Sequence, residues 1–291
     1  IMGIENLAIV QARMGSVRFP GKVLKKINNK SLIEILLSRL SQSKNIDKII
    51  LATSIASVND KLSQEVKALG YDVFRGSENN VLDRYYLAAK QYNPSTIVRI
   101  TGDCPIIDPV LVDQVIDMYI KNDVDYVSNN HPPTYPDGLD TEVFSFQSLK
   151  VSWQNAEKIY EREHVTPYIL NKTRFKKLSF ENEIDCSKER WTVDELEDFE
   201  VIKNIISHFY PNIFFSWQEV FELKKDHPNY FSANKNIIRN EGANLGPGQK
   251  LYKRAKKIIP GGTMLLSKRP EMFLPDIWPS YYSKTKGCYV W

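Results

Sequence analysis

Apolar residues gather in short blocks over the first half of the chain, and each block is followed by a longer stretch with helical spacing. Residues 7–11, LAIVQ, are a short apolar run, the pattern of a strand buried on both faces. Ser31 and Glu34 stand at capping-box spacing ahead of IEILLSRL, which predicts a helix. KIILATS, residues 48–54, reads as a second strand. Asn59 is placed to cap a helix that runs through Leu69 and stops at Gly70. DVFRG is a third strand, and NVLDRYYLAAKQY is a helix with Val81, Leu82, Tyr85 and Ala89 as its apolar positions. TIVRITGD is a fourth strand, ending at Asp103, and Pro109 opens the helix VLVDQVIDMYI with Asp108 as its N-cap. This alternation predicts an α/β fold with a parallel sheet covered by helices.

The pattern changes near residue 125. DYVSNN and TEVFSF read as strands on either side of the turn-rich HPPTYPDGLD. A helix over EREHVTPYIL follows, then RFKKLSF and RWTV, and the helix LEDFEVIKNIISHF closes the region. Residues 226–248 are polar and rich in Asn and Gly, the composition of a linker. The expected organisation is therefore a first domain over 1–225, a linker over 226–248, and a segment over 249–291 too short to bury a core unaided. The last residues, GCYVW, read like the middle of a strand, so the chain is expected to continue in a longer polypeptide.

Composition narrows the functional classes. Of 291 residues, 42% are hydrophobic and 25% charged, which is globular, and a formal net charge of +4 is too mild for a duplex-DNA binder. Cys104, Cys186 and Cys288 are far apart and form no CxxC pair, so a reducing cytoplasm is the expected compartment. No apolar run approaches the length of a membrane span and no signal peptide is visible, so no membrane association is expected.

Chemistry enters with the loop after the first strand, ARMGSVRFPGK. Ligands of open α/β sheets sit at the carboxyl ends of the strands, so this loop is the expected site. It lacks GxGxxG, and it misses the P-loop because Gly15 and Gly21 enclose five residues and Val23 follows the lysine. It keeps the ingredients of an anion site nonetheless. Gly15 would let backbone N–H groups turn inward, Arg13, Arg18 and Lys22 supply counter-charge, and Pro20 stiffens the approach. A solvated surface turn is the alternative.

QARMGSVRFPGKVL resembles the opening of the cytidylyltransferases that activate sugar acids with CTP, of the CMP-KDO synthetase and spore-coat-polysaccharide type. The resemblance continues in order through LATS, VFRGSENNVLDRYY, VRITGDCPIIDP, YVSNN, YPDGLDTEVFSF, REHVTPYI and RWTVDELEDFEVI, covering about residues 6 to 210. It implies a glycosyltransferase-A-like three-layer α/β/α fold with a mixed, mostly parallel sheet, CTP as donor and Mg²⁺ as cofactor. It also implies nucleotide contacts from Gln11, Ala12, Arg13, Gly15, Ser16, Arg18, Lys22, Ala52, Thr53, Ser54, Arg75, Gly76, Ser77 and Thr101. Arg13, Lys22 and Asp103 would be the catalytic residues, and Asp103 and Asp194 would clamp the metal. A carboxylate at Asp103 ends a strand beside the basic loop, and Mg²⁺ is often held by one or two carboxylates plus phosphates. The family's usual VDTPED stands here as VDELED, which leaves Asp194 in place and alters the helix start. Without the resemblance, an N-cap would be the simpler role for Asp194, and a surface salt bridge would suit Arg75 equally well. TYPDGLDTEVFS is expected to face the acceptor, with Tyr135, Asp137, Asp140 and Glu142 as an acidic, aromatic rim and His164 nearby, although strand decoration and a packed histidine are the commoner fates. Cys104 is expected in the core. A homodimer is a family expectation.

The stretch LYKRAKKIIPGGTMLLSKRPEMF resembles the extreme N-terminus of glutamate-1-semialdehyde-aminomutase-like aminotransferases. It contains none of that family's cofactor-binding core, so pyridoxal phosphate is expected only in a longer, bifunctional protein. The pairing suggests a small hydroxylated acceptor, phosphorylated or not: an amino-alcohol phosphate such as serinol phosphate, giving a CDP-linked capsule or surface-polysaccharide precursor. The alternative is a KDO- or nonulosonate-type acid giving a CMP-sugar. An inactive CTP-binding module regulating the aminotransferase is an alternative of another class. A glycosyltransferase is a further one, though its DxD pair is missing around Asp103.

Overall fold

The computed structural model describes residues 4–16, 18–237, 239, 251–252, 255–256, 258–260, 285–286 and 289–290. The chain divides into two compact units, Ile1–Lys235 and Asn236–Trp291. In the second, strands Thr285–Lys286 and Tyr289–Val290 pair antiparallel. Most of the stretch for which an aminotransferase start was expected lies outside the described residues.

The first unit is built on β1 (Asn6–Gln11), β2 (Lys26–Ile27), β3 (Lys30–Ser31), β4 (Lys48–Ser54), β5 (Asp72–Gly76), β6 (Thr96–Thr101), β7 (Tyr126–Ser128), β8 (Glu142–Ser145) and β9 (Lys177–Ser179). Its helices are α1 (Leu32–Leu40), α2 (Asp60–Ala68), α3 (Val81–Lys90), α4 (Pro109–Lys121), α5 (Phe146–Asn155), α6 (Ile159–His164), α7 (Pro167–Asn171), α8 (Leu196–Phe209) and α9 (Trp217–Asp226). Seven strands form one mostly parallel sheet in the order β5-β4-β1-β6-β8-β7-β9, while β2 and β3 make a separate small hairpin. Strands β5, β4, β1 and β6 run parallel side by side, so their carboxyl ends share one edge. Only β8 is reversed, antiparallel to both β6 and β7.

Both faces of the sheet are covered. Leu7 and Ile9 of β1 pack with α3, α5 and α7 through Leu82, Tyr85, Leu149 and Ile169. Ala8 and Val10, one residue out of phase, pack with α1, α2 and α4 through Leu36, Leu37, Leu62, Val66 and Val112. The two-residue period of a strand thus feeds two cores from one apolar run. A third cluster joins α1, α8 and α9 through Leu32, Ile35, Trp191, Val201, Ile205 and Val220. Among the described residues no helix is long and apolar enough to cross a membrane.

The structure departs from the sequence expectations in several places. Asn59 heads α2 without capping it by its side chain; a 3-10 turn over Ser57–Asn59 precedes the helix instead. EREHVTPYIL is two helices, because Val165 sits at φ +71° and Pro167, which can make no backbone N–H bond, starts α7. TEVFSF is strand only to Ser145, whose side chain accepts a hydrogen bond from Ser148 N and starts α5. RWTV joins no strand; one bridge links Arg190 to Asp137. Helix α9 was not expected, although Ser216 and Glu219 carry capping-box spacing, with Ser216 N donating to Glu219 Oε2 at 2.7 Å. The first unit also runs past the expected boundary at 225. Pro228–Phe231 is a 3-10 turn, Phe231 enters the third core, and buried Asn234 donates to Asp198 Oδ1 at 2.9 Å.

Candidate active site

The carboxyl ends of β1, β4, β5 and β6 deliver the first set of candidate residues to one edge. Gln11 stands in register with Ala52 on one side and Thr101 on the other, and Thr53 with Arg75, Ser54 with Gly76. Gly102 continues β6 tightly against β1: its N–H donates to Gln11 O at 2.7 Å, and a Cβ there would stand 2.5 Å from that of Ala12.

The loop after β1 is tied to the sheet and folded back on Met14. Met14 N donates to Asn59 Oδ1 at 2.8 Å, and Asn59 Nδ2 donates to Ser54 Oγ at 2.7 Å. The Asn59 amide, spared from capping, ties the loop to the end of β4. Met14 O then accepts from Ser16 N at 2.9 Å and Gly21 N at 3.0 Å, and Ser16 Oγ accepts from Phe19 N at 3.3 Å. The residue in the left-handed region is Gly21, at φ +69°, not Gly15. The conformational demand on glycine therefore falls where the chain turns into the 3-10 turn Lys22–Leu24.

Each cation of the loop meets an acid. Arg13 Nη1 lies 3.1 Å from Glu78 Oε1. Arg18 Nη2 lies 3.0 Å from Asp194 Oδ2, and its Nη1 3.8 Å from Glu195 Oε1. Lys22, whose side chain is 10% exposed, aims its ammonium between the two expected metal acids: 2.8 Å from Asp194 Oδ1, 3.4 Å from Asp103 Oδ2 and 2.6 Å from Val193 O. Burial would lower the Lys22 pKa, but Asp103 and Asp194 outweigh it and raise it. Burial likewise works against the Asp194 carboxylate, yet Lys22, Arg18 and Arg190 hold its pKa at about 2.

Asp194 is positioned by residues that the sequence did not single out. Glu195, not Asp194, is the N-cap of α8. Asp198, fully buried, accepts from Asp194 N at 2.9 Å and Glu195 N at 3.0 Å. Arg190 grips Asp198 through Nε at 2.8 Å and Nη2 at 2.9 Å, and reaches Asp194 Oδ2 at 3.4 Å. The segment before α8 is stitched to the end of β6, with Val193 N donating to Asp103 O at 2.8 Å and Thr192 Oγ1 at 3.1 Å. Glu195 and Asp198 have the i, i+3 spacing of a capping box, a signal that was legible. Glu78 and Arg190 carry no spacing signal.

Two oxygen-donor carboxylates sharing one ammonium are within reach of a common cation. Among the described residues no three His, Cys, Asp or Glu side chains converge to hold a metal alone. A site of two acids, completed by phosphate and water, suits Mg²⁺, which keeps several non-protein ligands.

The other candidates divide. Arg75 is spent locally: Nε donates to Ser54 O at 3.1 Å, Nη2 to Ala56 O at 3.0 Å, and Nη1 pairs with Asp60 at 2.7 Å. It shapes the turn after β4. Ser77 Oγ accepts from Asn80 N at 3.0 Å. On the acceptor side, Tyr135 is in the core, stacked with Phe180 and edge-on to Trp217. Asp137 Oδ2 accepts from Arg190 Nη1 at 2.9 Å. Glu142 faces inward and is sealed by Arg99, Tyr126 and Thr166. Asp140 is half-buried and His164 is exposed at the end of α6. Burial first, then the charges of Asp103, Asp140 and Asp137, push the Cys104 thiol pKa well up, so Cys104 stays protonated and is no nucleophile.

The sequence profile of a family described as cytidylyltransferase matches residues 7–237. The spore coat polysaccharide biosynthesis protein SpsF of Bacillus subtilis is 37% identical over 207 residues, 68% of this chain and 85% of that protein. The structure of a cytidylyltransferase from Leptospira borgpetersenii superposes with a TM-score of 0.77 at 36% identity, covering 81% of this chain and all of the other. A CMP:2-keto-3-deoxy-manno-octonic acid synthetase solved with CTP shares the fold at a TM-score of 0.55 and 17% identity, over 70% of this chain and 99% of its own.

Proposed function

Because this chain belongs to the cytidylyltransferase family, we propose that it transfers CMP from CTP to a small hydroxylated acceptor, an amino-alcohol phosphate such as serinol phosphate, with release of pyrophosphate. The observation that carries this reading is the convergence of Arg18 and Lys22 from the loop after β1 with Asp103 and Asp194, which are far apart in sequence.

The acceptor oxygen attacks the α-phosphorus in line, and the bond to the β-phosphate oxygen breaks. The protein's share is positioning and charge neutralisation. Asp103 and Asp194 would hold Mg²⁺, which when bound neutralises charge on the α-phosphate and aligns the acceptor. Arg13, Arg18 and Lys22 would grip the β- and γ-phosphates and stabilise the leaving pyrophosphate. The strand-end residues Gln11, Ala12, Ala52, Thr53, Ser54 and Thr101 would line the nucleoside, with Gly15, Ser16, Gly76 and Ser77 beside them. Asp140, half-buried, would face the acceptor, while Asp137 is taken by Arg190. The likeness of residues 249–291 to an aminotransferase start supports an amine-bearing acceptor, since transamination of a keto-phosphate yields one.

A second reading, a KDO- or nonulosonate-type CMP-sugar, is supported by the resemblance in sequence and the shared fold. Mass spectrometry after incubation with CTP, Mg²⁺ and a panel of acceptors separates them. A CDP-linked amino alcohol is expected. A CMP-sugar would favour the second reading, and the absence of pyrophosphate with every acceptor would overturn cytidylyl transfer, leaving a nucleotide-binding module.

A further inference from the structure

The loop of three cations holds none of them in readiness for an anion. Lys22 is the most committed: Val193 O, Asp194 Oδ1 and Asp103 Oδ2 lie 2.6, 2.8 and 3.4 Å from its ammonium, one acceptor for each of its three protons. Arg18 lies against Asp194 and Glu195, and Arg13 against Glu78. Phosphate oxygens and these carboxylates compete for the same donors. Equally, a divalent cation and the Lys22 ammonium compete for the same two acids.

We propose that Lys22 is the residue that couples metal binding to nucleotide binding, by exchanging counter-ions. In the free protein its ammonium occupies the cation position between Asp103 and Asp194. A divalent cation entering there expels the ammonium, which is then left without an anionic partner. A triphosphate supplies one. Conversely, a triphosphate that draws Lys22 away deprives Asp103 and Asp194 of the cation they share, and a divalent ion supplies one. Each ligand therefore completes the site for the other, and each binds poorly alone. The geometry permits the exchange: the ammonium is carried on a flexible four-carbon stem, and the two acids it bridges are partly open, their side chains 28% and 21% exposed.

This inference rests on the reading of the site as a metal–triphosphate site, and it makes Lys22 a positioning residue for the metal as well as a phosphate ligand. Its test is Mn²⁺ binding, followed by electron paramagnetic resonance, on wild-type protein and Lys22→Met, with and without CTP and with no acceptor present. Wild type should bind Mn²⁺ weakly alone and about tenfold or more tightly with CTP, a coupling within the usual range. Lys22→Met should bind Mn²⁺ alone about tenfold more tightly than wild type, and CTP should tighten it by a smaller factor than in wild type, since only the phosphates' own ligation of the metal remains. Unchanged or weakened Mn²⁺ binding in folded Lys22→Met overturns the proposal. The metal-alone arm does not depend on the nucleotide: tighter Mn²⁺ in the variant upholds the exchange even if CTP is not the donor, and unchanged Mn²⁺ sinks it even if CTP is. Should Lys22→Met not fold, Lys22→Gln carries the same metal-alone test, and Mn²⁺ binding no tighter than in wild type overturns the proposal.

Discussion

Two ionic clusters in this protein use the same kinds of side chain and are built in opposite ways. Around Glu142, which is 2% exposed, one carboxylate oxygen accepts from Tyr126 Oη at 2.6 Å and Thr166 Oγ1 at 2.7 Å, and the other takes the Arg99 guanidinium. Burial would raise the Glu142 pKa, but Arg99, Tyr126 and Thr166 prevail and lower it. Around Lys22 the acids are partly open, with side chains of Asp103 and Asp194 28% and 21% exposed and Arg18 42% exposed. The first cluster is closed, so no partner can leave without stranding a buried charge. The second is closed on the protein side and open on the other, so its ions can be traded for those of a ligand. The contrast teaches that a buried charge is not by itself a functional one; what separates the two is whether a substitute partner can reach it.

Glu142→Ala attacks the closed cluster. It leaves Arg99 unpaired and should cost about 3–5 kcal/mol of stability in denaturant unfolding. A loss below about 1 kcal/mol would place Glu142 among exchangeable surface pairs and erase the distinction. The half-open cluster is probed by acid. The Asp194 carboxyl lies at about 2 in the folded protein, below its ordinary 3.8. A carboxyl depressed by folding contributes stability that is full above the unfolded value and is lost as pH falls toward the folded one. Stability should therefore drop between about pH 4 and pH 2 by on the order of 2 kcal/mol through this group, and Asp194→Asn should flatten that limb. An acid limb identical in Asp194→Asn and wild type would show that the carboxylate gains nothing from Lys22 and Arg18. A smaller effect is expected from Asn59→Ala, which strips Met14 N of its acceptor and Ser54 Oγ of one donor. Stability should fall by about 1–2 kcal/mol, and the Kd for CTP should rise because the loop is no longer tied to β4. A change in stability with no change in CTP affinity would make Asn59 a purely structural tie.

The sheet was legible because its strands are buried on both faces and their apolar runs are unbroken; LAIVQ and KIILATS announce β1 and β4 directly. The basic loop and the two distant aspartates were legible as motifs. What the sequence concealed is the second layer. Asn59 looks like an ordinary cap, and only the approach of Met14 turns it into a tie. Arg190 and Asp198 are two charged residues in a charged stretch until folding buries both. Glu142 and Tyr135 looked like a rim because neither a strand start nor a turn shows in sequence which side will be sealed, and here Arg99 covers the first and Phe180 the second. The boundary at 225 was misplaced because the polar composition of residues 226–235 hides two contacts, Phe231 in a core and Asn234 on Asp198.

The central claim is that Asp103 and Asp194 act with the basic loop on a metal-bound triphosphate. Release of pyrophosphate from CTP, measured in wild type and Asp103→Asn with and without Mg²⁺, tests it most directly. Wild type should release pyrophosphate only with Mg²⁺ and acceptor, and Asp103→Asn should lose at least about 10²-fold in kcat/KM while unfolding at the same denaturant concentration. Near-wild-type turnover in folded Asp103→Asn would contradict the claim.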